Sequence, residues 1–318
     1  MLSPLLAADA LTGWQIFIQQ CLNGLTYGAL IALIALGYTM VYGIIGLINF
    51  AHGDLFMLGS FLTLTLIETF GLDAEGASVA KLVVGLLAIL PIVAIFCAAL
   101  NLAVDRIVYK PLRRAPKLAP LVSAIGVSFI FQNVGLLWKG PADLSVPNLV
   151  SQRNLLGDQP ITFTVSDLML IALVAAIMVA LTLLVKYTRL GKSMRATAQN
   201  PVAAQLMGIN VERVIGGTFV IGGALAGFAA VIYSLYIGTI GFQIGYINGL
   251  YAFTAAVVGG IGNIPGAVLG GFVIGMVRSL GSAYVEERWT TAIIFGILII
   301  ILIFRPSGLL GATSREKV

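Results

Sequence analysis

The sequence predicts an all-α fold, a polytopic transmembrane helix bundle with eight or nine spanning or discontinuous helices. Of the 318 residues, 59% are hydrophobic and only 10% are charged, whereas a soluble domain carries about 25% charged residues. Five long runs contain no Asp, Glu, Lys or Arg: residues 10–53, 82–104, 118–138, 168–185 and 214–277. Because a helix needs about 20 apolar residues to cross the hydrocarbon core and lipid requires internal backbone hydrogen bonds, these runs indicate membrane helices.

The predicted spans follow these runs along the chain. The first covers residues 14–37, and the uncharged stretch continues to residue 53, which is too long for one span. The later spans are predicted at 54–70, 82–104, 118–138, 167–186, 214–236, 246–262, 265–283 and 290–305. The sequence leaves open whether residues 38–53 and 246–262 cross fully or re-enter. The whole chain, residues 1–318, is interpreted as one transmembrane domain.

The positive charges predict how the chain is oriented. The loops after the third and fifth spans and the C-terminal tail hold 13 of the 18 Lys and Arg residues. They are Arg106, Lys110, Arg113, Arg114, Lys117, Lys186, Arg189, Lys192, Arg195, Arg213, Arg305, Arg315 and Lys317. Since cytoplasmic loops are enriched in positive charge, we expect a cytoplasmic loop at 187–213, a cytoplasmic C-terminus and a non-cytoplasmic loop at 139–166. The net charge of +5 is thus a topology signal, and no nucleic-acid partner is expected.

Several classes of chemistry are excluded by what the sequence lacks. The two cysteines lie in apolar runs and His52 is the only histidine, so we expect no metal site and no cofactor. Gly191-Lys192-Ser193 ends like a P-loop, but the first glycine of that motif would fall at position 186, which is Lys186. No intramembrane carboxylate pair or Ser/His cluster offers another catalytic site. The chain is therefore predicted not to be an enzyme, and any ATP hydrolysis would belong to another subunit.

A short helix is predicted on the basic loop after the fifth span. Asn200 suits the N-cap, Pro201 the first helical position and Gly208 a left-handed end. The helix would carry three apolar side chains, those of Val202, Leu206 and Met207. Such a helix fits a groove on a partner protein or lies on the membrane surface, and the local chemistry does not favour either.

Three polar residues lie where the first long apolar run meets the second span. Asn49, His52 and Asp54 are candidates to line a translocation path, because polar groups at a break in a membrane helix face a cavity or cap a helix. The alternative is structural and is favoured: Asp54 would be the N-cap of the second span. Likewise, His52 is expected to be a hydrogen-bonded turn residue rather than a proton carrier.

A second polar pattern lies in the first span. Gln19, Asn23 and Tyr27 are spaced four apart and share one helix face. Such a stripe faces the protein interior, where it makes interhelical hydrogen bonds or lines a path, and both alternatives remain open. The same alternatives apply to Asn101, Gln132 and Asn133.

The sequence also predicts close helix contacts at paired glycines and one ion pair near the non-cytoplasmic face. Three pairs of glycines stand four apart, Gly223 with Gly227, Gly266 with Gly270 and Gly271 with Gly275. This spacing lets helix backbones touch, and contacts within one subunit are favoured over dimerisation. Near the non-cytoplasmic face, Arg278 and Glu286 are expected to form a structural ion pair.

Longer stretches of the chain carry a more specific signal than single residues do. The first two stretches are Gly46-Leu-Ile-Asn-Phe-Ala-His-Gly-Asp-Leu-Phe-Met-Leu-Gly59 and Arg195-Ala-Thr-Ala-Gln-Asn-Pro201, the latter followed by Ala203-Ala204 and Gly208-Ile-Asn210. The others are Ala224-Leu-Ala-Gly227 and Val258-Gly-Gly-Ile-Gly-Asn-Ile-Pro-Gly-Ala-Val-Leu-Gly-Gly271. Together these stretches resemble the LivH-type permease subunits of branched-chain amino acid ABC importers, and the resemblance extends over nearly the whole chain.

The resemblance implies that the short helix at 201–208 is a coupling helix that docks an ATPase subunit. The residues so assigned are Asn200, Pro201, Val202, Ala203, Ala204, Leu206, Met207 and Gly208. In ABC importers the corresponding loop is named for a leading Glu, and this chain has Val202-Ala203-Ala204 there. An acidic contact with the ATPase is therefore not expected.

The resemblance also implies the partners and the solute. A periplasmic binding protein would deliver a branched-chain or related small amino acid to this chain and a homologous permease subunit, while two ATP-binding subunits drive transport across the bacterial inner membrane. The scarcity of intramembrane charge leads us to expect high solute affinity in the binding protein. Alternatives are a urea or amide permease of the same class and a stand-alone secondary transporter, which would need ion ligands within the membrane.

Overall fold

The structure is a computed structural model that describes residues 12–73, 79–113, 115–116, 118–149, 153–157 and 160–311. The described chain is almost entirely helical, with one two-stranded antiparallel pairing, so the predicted all-α class is confirmed. The helices are α1 (Gly13–Ile45), α2 (Ala51–Thr69), α3 (Val79–Val104), α4 (Lys110–Leu112), α5 (Leu118–Lys139), α6 (Val165–Tyr187), α7 (Arg189–Gln199), α8 (Pro201–Leu206), α9 (Val211–Ile237), α10 (Ile244–Gly259), α11 (Ile264–Tyr284) and α12 (Glu287–Phe304). The strands are β1 (Leu144–Ser145) and β2 (Thr239–Ile240).

Seven helices of the described chain are long and apolar enough to cross a membrane. They are α1, the segment Lys81–Leu112, α5, α6, α9, α11 and α12. The segment Lys81–Leu112 joins α3 to α4 through a π-helical turn, Asp105–Tyr109. Two further apolar helices, α2 and α10, pack among these seven, so nine long helices form the bundle.

The structure shows which elements residues 38–45 and 246–262 form, while whether segment 246–262 crosses the membrane stays a prediction. Residues 38–45 continue α1, which is therefore one helix of 33 residues and about 50 Å in length, longer than the span predicted at 14–37. Segment 246–262 contains most of α10, which runs antiparallel to α11. This direction follows from two contacts, Ala255 against Gly270 and Gly259 against Gly266.

The connections between helices gather at two ends of the bundle. One end, here called the basic end, contains the α1–α2 connection, α4, α7, α8, the α10–α11 turn and residues 305–311. At this end Tyr109 Oη donates to the Ile48 carbonyl at 3.0 Å, and the Leu310 N–H donates to the Gly259 carbonyl at 2.9 Å. The three basic segments therefore share one end, as the alternation of spans predicts; Arg114, Lys117, Arg315 and Lys317 lie outside the described residues.

The opposite end contains the predicted loop 139–166, of which residues 150–152 and 158–159 lie outside the described residues. The backbone N–H of Thr162 donates to Gln19 Oε1 at 2.7 Å, which ties the loop to the start of α1. Strand β1 pairs with β2, with Leu144 opposite Ile240. The loop is thus joined by backbone hydrogen bonds to the α9–α10 connection.

The most extensive helix contact among the described residues is between α1 and α11. A Cβ added at Gly275 would collide with the backbone of Gly28, and one added at Gly271 would collide with Ala32. The other predicted glycine pairs make the same kind of contact: Gly223 and Gly227 lie against α3, and Gly266 and Gly270 against α10. All three predicted pairs therefore serve packing within one subunit.

Replacing Gly275 by Ala is expected to destabilise the bundle, because the added methyl group would force α1 and α11 apart. Overpacking of this kind costs about 1–3 kcal/mol. The measurement is the thermal unfolding midpoint of the purified chain in detergent. Gly296→Ala in α12 is the matched control, since nothing lies within 4 Å of a Cβ at that position. Equal midpoints for the two variants would contradict the packing described here.

Candidate coupling helix and buried polar sites

The short helix α8 has the local structure that its sequence predicts. Asn200 is the N-cap, and its Oδ1 accepts hydrogen bonds from the backbone N–H groups of Val202 and Ala203, both at 3.0 Å. Pro201 occupies the first helical position, where no N–H is needed. Gly208 ends the helix in the left-handed region with φ +81°. Caps at both ends define a rigid unit of six residues.

Helix α8 presents apolar side chains away from the bundle. Val202, Leu206 and Met207 are 66%, 84% and 82% exposed. On the opposite side Ala204 is buried and packs in an apolar cluster that includes Val211 at the start of α9. One face of α8 is thus anchored, while three apolar groups project from the basic end.

Helix α7 holds α8 against the bundle. Gly191 is buried, and a Cβ there would collide with the backbone carbonyls of Leu184 and Val185 at the end of α6. The Arg195 guanidinium donates to the carbonyl of Val185 as well. The Gly191-Lys192-Ser193 triplet therefore lies inside a packed helix, a geometry that offers no phosphate-binding loop.

An ion-pair cluster joins the end of α3 to the start of α9, next to α8. Arg113 bridges Asp105 at 2.6 Å and Glu212 at 2.5 Å, and Lys110 lies 3.2 Å from Glu212. The Asp105 carboxylate is buried while Glu212 and Lys110 are half exposed. Because the cluster follows directly on the Asn210 cap of α9, it fixes the position of the helix that receives α8.

Asn49 contributes to a buried hydrogen-bond chain. Its Nδ2 donates to Asn101 Oδ1 at 3.0 Å, and Asn101 Nδ2 donates to the Phe219 carbonyl at 2.7 Å. The chain links the α1–α2 connection to α3 and α9. For Asn101 the contact is therefore an interhelical hydrogen bond, one of the two alternatives that its sequence position allows, and Asn49 is its partner.

Two expectations for the α1–α2 connection are wrong. Helix α2 begins at Ala51 with Phe50 as its N-cap, so Asp54 lies in the helix and does not cap it. His52 is also helical, and its ring packs against Tyr38 with 4.8 Å between ring centroids. Neither ring nitrogen of His52 has a hydrogen-bond partner among the described residues.

The Asp54 carboxylate is turned toward α5. Its Oδ2 accepts a hydrogen bond from Ser128 Oγ and a longer one from Gln132 Nε2 at 3.4 Å. Oδ1 has no hydrogen-bond partner among the described residues. Ser128 and Gln132 also line a cavity of about 210 Å³ between α1, the α1–α2 connection, α5 and α10, together with Tyr38, Phe50, Ile125, Phe129, Gly245, Tyr246, Gly249 and Leu250.

The polar stripe of α1 lies near the end opposite α8. Gln19 Nε2 donates to Asn23 Oδ1 at 2.8 Å, and Tyr27 Oη donates to Asn248 Oδ1 at 2.6 Å. Asn23 and Tyr27 also line a second cavity of about 230 Å³. The stripe therefore makes an interhelical hydrogen bond and borders a cavity; that it lines a translocation path stays a prediction.

Arg278 lines that second cavity, and the prediction that it pairs with Glu286 is wrong. Its guanidinium carbon lies 4.0 Å from the centroid of the Tyr27 ring, and it donates to Tyr27 Oη. The carboxylate that it meets is Glu287, at 3.6 Å, while Glu286 pairs with Arg288. Helix α12 starts at Glu287, which directs that residue back toward α11.

Comparison with known proteins identifies the family. A family model described as "Branched-chain amino acid transport system / permease component" matches residues 20–303. This chain belongs to that permease family. The protein named high-affinity branched-chain amino acid transport system permease protein LivH in Salmonella typhimurium is 40% identical over 309 residues, covering 95% of this chain and 98% of that protein.

Two other relatives agree with this assignment to the permease family. The permease protein BraD of Pseudomonas aeruginosa, named for high-affinity branched-chain amino acid transport, is 41% identical over 308 residues, with 95% of this chain and 98% of that protein covered. A probable branched-chain amino acid transport permease of Methanocaldococcus jannaschii is 30% identical over 315 residues, with 92% of each covered. No solved structure matches the chain.

Several residues of this permease have roles that the sequence pattern did not reveal. Tyr233 and Asn248 join the Tyr27 network, in which Asn248 Nδ2 lies 3.3 Å from Tyr233 Oη. Tyr236 Oη donates to Asp167 Oδ1 at 2.6 Å. Polar residues at isolated positions in apolar runs were the available signal, but their partners lie on helices distant in sequence.

Replacing Asn200 by Ala is expected to loosen α8, since two backbone N–H groups lose their acceptor. Loss of an N-cap costs about 1 kcal/mol, which is about a five-fold change in the opening equilibrium. Hydrogen exchange of the residue 202–206 amides measures it, and these amides should exchange faster by that factor. Asn200→Ser, which keeps a side-chain acceptor, is the control; equal exchange in both variants would contradict the cap.

Proposed function

We propose that this chain is the permease subunit of an ATP-driven importer for branched-chain or related small amino acids, and that α8 is its coupling helix. The observation that carries the proposal is α8 itself, a capped helix with three exposed apolar side chains at the basic end. The family supplies the transport class, and the names of the relatives supply the class of solute.

Docking of an ATP-binding subunit on α8 explains why these side chains are exposed. Apolar groups that project into water are stabilised by burial in a partner groove, at about 25 cal/mol per Å². Helix-in-groove recognition uses anchors of this kind on one helix face. Ala203 and the absence of an acidic residue on α8 indicate that the contact is mainly apolar rather than an ion pair.

The construction of the basic end allows α8 to transmit a displacement. Helix α7 packs on the end of α6 through Gly191, and Ala204 of α8 packs on Val211 of α9. The Arg113 ion pairs tie the same end of α9 to α3. A movement imposed on α8 therefore reaches three spanning helices, as is required to switch a path between its two open sides.

The charge distribution supports the orientation of the chain in the bacterial inner membrane. The basic end, with α8 and Arg305, would face the cytoplasm because positive loops remain there. The loop 139–166 would then face the periplasm, where a solute-binding protein delivers its cargo. Membrane lipid would cover the exposed apolar faces of helices such as α12.

The remaining partners follow from the same proposal. A homologous permease subunit would complete the path, and two ATP-binding subunits would dock on the two coupling helices. Since the Gly191 triplet is helical, hydrolysis is assigned to those subunits. The residues that we propose to lie in or beside the path are Asp54, His52, Asn49, Gln19, Asn23 and Tyr27. The relatives do not favour a urea or amide solute or an ion-driven transporter.

Replacing Leu206 by Glu is expected to reduce the ATP-binding subunit that co-purifies with the tagged chain by about ten-fold or more, because an exposed apolar anchor is lost and a charge enters the groove. Gln205→Glu is the matched control, since it places the same charge on the neighbouring exposed position and removes no apolar group. Quantitative mass spectrometry of the purified complex gives the ratio.

Two outcomes would contradict the proposed function. Equal loss or equal retention of the ATP-binding subunit in both variants would show that the apolar face of α8 is not the contact. Recovery of no ATP-binding subunit with the unsubstituted chain, or ion-driven uptake by this chain alone in liposomes, would contradict an ATP-driven importer.

A further inference from the structure

The Asp54 carboxylate is buried in the membrane part of the bundle without a cationic partner. The residue is 1% exposed, and no ion pair to Lys, Arg or His forms within the described residues. Ser128 and Gln132 both hydrogen-bond to Oδ2, while Oδ1 is left without a partner. Half of the acceptor capacity of this carboxylate is therefore unused.

An unused buried acceptor points to a ligand that is absent from the isolated chain. Burying a charged group without a partner is unfavourable by several kcal/mol, and ionisable residues inside membranes mark solute or ion pathways. His52 is two residues away, but its ring packs on Tyr38 and Gly37 and forms no ion pair with Asp54. A cation supplied from outside this chain would complement the carboxylate.

A cavity lined by Ser128 and Gln132, the two residues that bond Asp54, limits the size and character of that cation; Asp54 itself is not among the residues that line it. Its volume of about 210 Å³ corresponds to about seven water molecules by liquid volume, so a small solute fits. Aromatic and aliphatic side chains make up most of the wall, including Tyr38, Phe50 and Leu250. None of the residues that line it is Lys or Arg, so an anionic group of the solute has no partner within the cavity.

We propose that Asp54 binds the α-ammonium group of a neutral amino acid whose side chain occupies this cavity. The proposal rests on the proposed function and names the solute contact within it. Oδ1 is covered by protein atoms in the isolated chain, so it would accept an ammonium N–H in a charge-assisted hydrogen bond only after the side chains over it move, while Ser128 and Gln132 hold the other oxygen in place. The Tyr38 ring on the cavity wall adds a surface that favours a cation.

The site matches only one of the two charges of a zwitterion, and this suits a conduit. The solute carboxylate remains at the mouth of the cavity, between α5 and α10, where Phe129 and Tyr246 are more than half exposed. A site on a transport path must bind well enough to admit the solute and weakly enough to release it. Matching the ammonium group alone provides selectivity for amino acids without tight binding.

The test uses a cysteine introduced into the cavity wall. Ile125→Cys is made in the full chain with Cys21 and Cys97 replaced by Ala, and the chain is purified with the subunits that accompany it. The cysteine is then treated with an ammonium-bearing or a sulfonate-bearing methanethiosulfonate. The Asp54 carboxylate is expected to raise the ratio of the two rates about ten-fold above that for free cysteine. Asp54→Asn should remove this preference, and Asp54→Glu should keep part of it.

Ligand protection adds a readout that needs no change at Asp54. Leucine at millimolar concentration is expected to slow modification of the cysteine, whereas 4-methyl-2-oxopentanoate, which has the same side chain and carboxylate but no ammonium group, should not. Asn133→Ala is the matched control for loss of a polar group nearby, because Asn133 is exposed and bonds only the Phe129 carbonyl. This variant should retain the reagent preference.

Three results would overturn the inference. They are an unchanged reagent preference in Asp54→Asn, equal protection by leucine and its deaminated analogue, and no modification by either reagent. These results are distinguishable from failure of the proposed function, which is detected as absence of ATP-binding subunits from the purified complex. A complex that contains those subunits but shows no ammonium preference refutes only the Asp54 site.

Discussion

The contact of α1 with α11 brings backbone against backbone, and the other helices are arranged around it. Within a membrane the hydrophobic effect does not drive helices together, so close van der Waals packing of small residues must do so. Gly24 and Gly28 on α1 meet Gly271 and Gly275 on α11 at such close range that no side chain fits between them. Because α1 is buried along its central turns, it is the axis on which α6, α9 and α10 also pack.

This packing determines where polar groups can lie. Tyr27 and Tyr38 are three turns apart on the same central helix, and each borders a different cavity, one toward the basic end and one away from it. Every buried amide of the interior network, such as Asn49, Asn101 and Asn248, is held by a neighbouring helix. Asp54 differs from these amides, because one of its carboxylate oxygens has no partner among the described residues, as is also true of both ring nitrogens of His52.

Sequence reasoning was most successful where the cause is local. The caps of α8 depend on Asn200, Pro201 and Gly208 and on nothing distant, so spacing alone was sufficient to predict them. The spacing of the paired glycines likewise predicts close helix contacts. Gly24 and Gly28 have the same spacing, which predicts the contact that they make with α11. The fold class followed from charge-free runs, because lipid imposes one solution on the backbone.

Sequence reasoning was less successful where the cause is a distant partner. Asp54 was assigned to a helix cap because its neighbours in sequence resemble one, yet the groups that bond it, Ser128 and Gln132, lie on α5. The extension of α1 to Ile45 is not predicted, because residues 14–37 already suffice to cross a membrane. Nothing at Tyr38 or Tyr42 breaks the helix, so it continues past that length. Arg278 meets Glu287 rather than Glu286 because the start of α12 decides which carboxylate turns inward.

The pairing of β1 with β2 has a mechanical consequence. Leu144 lies opposite Ile240, and the Val146 N–H donates to the Gly238 carbonyl at 2.9 Å, so the surface loop and the α9–α10 connection move as one piece. Five residues beyond Ile240, Gly245 touches the backbone of Gly53, the neighbour of Asp54. A displacement of the surface loop is thus transmitted through β2 and the start of α10 to the backbone beside Asp54.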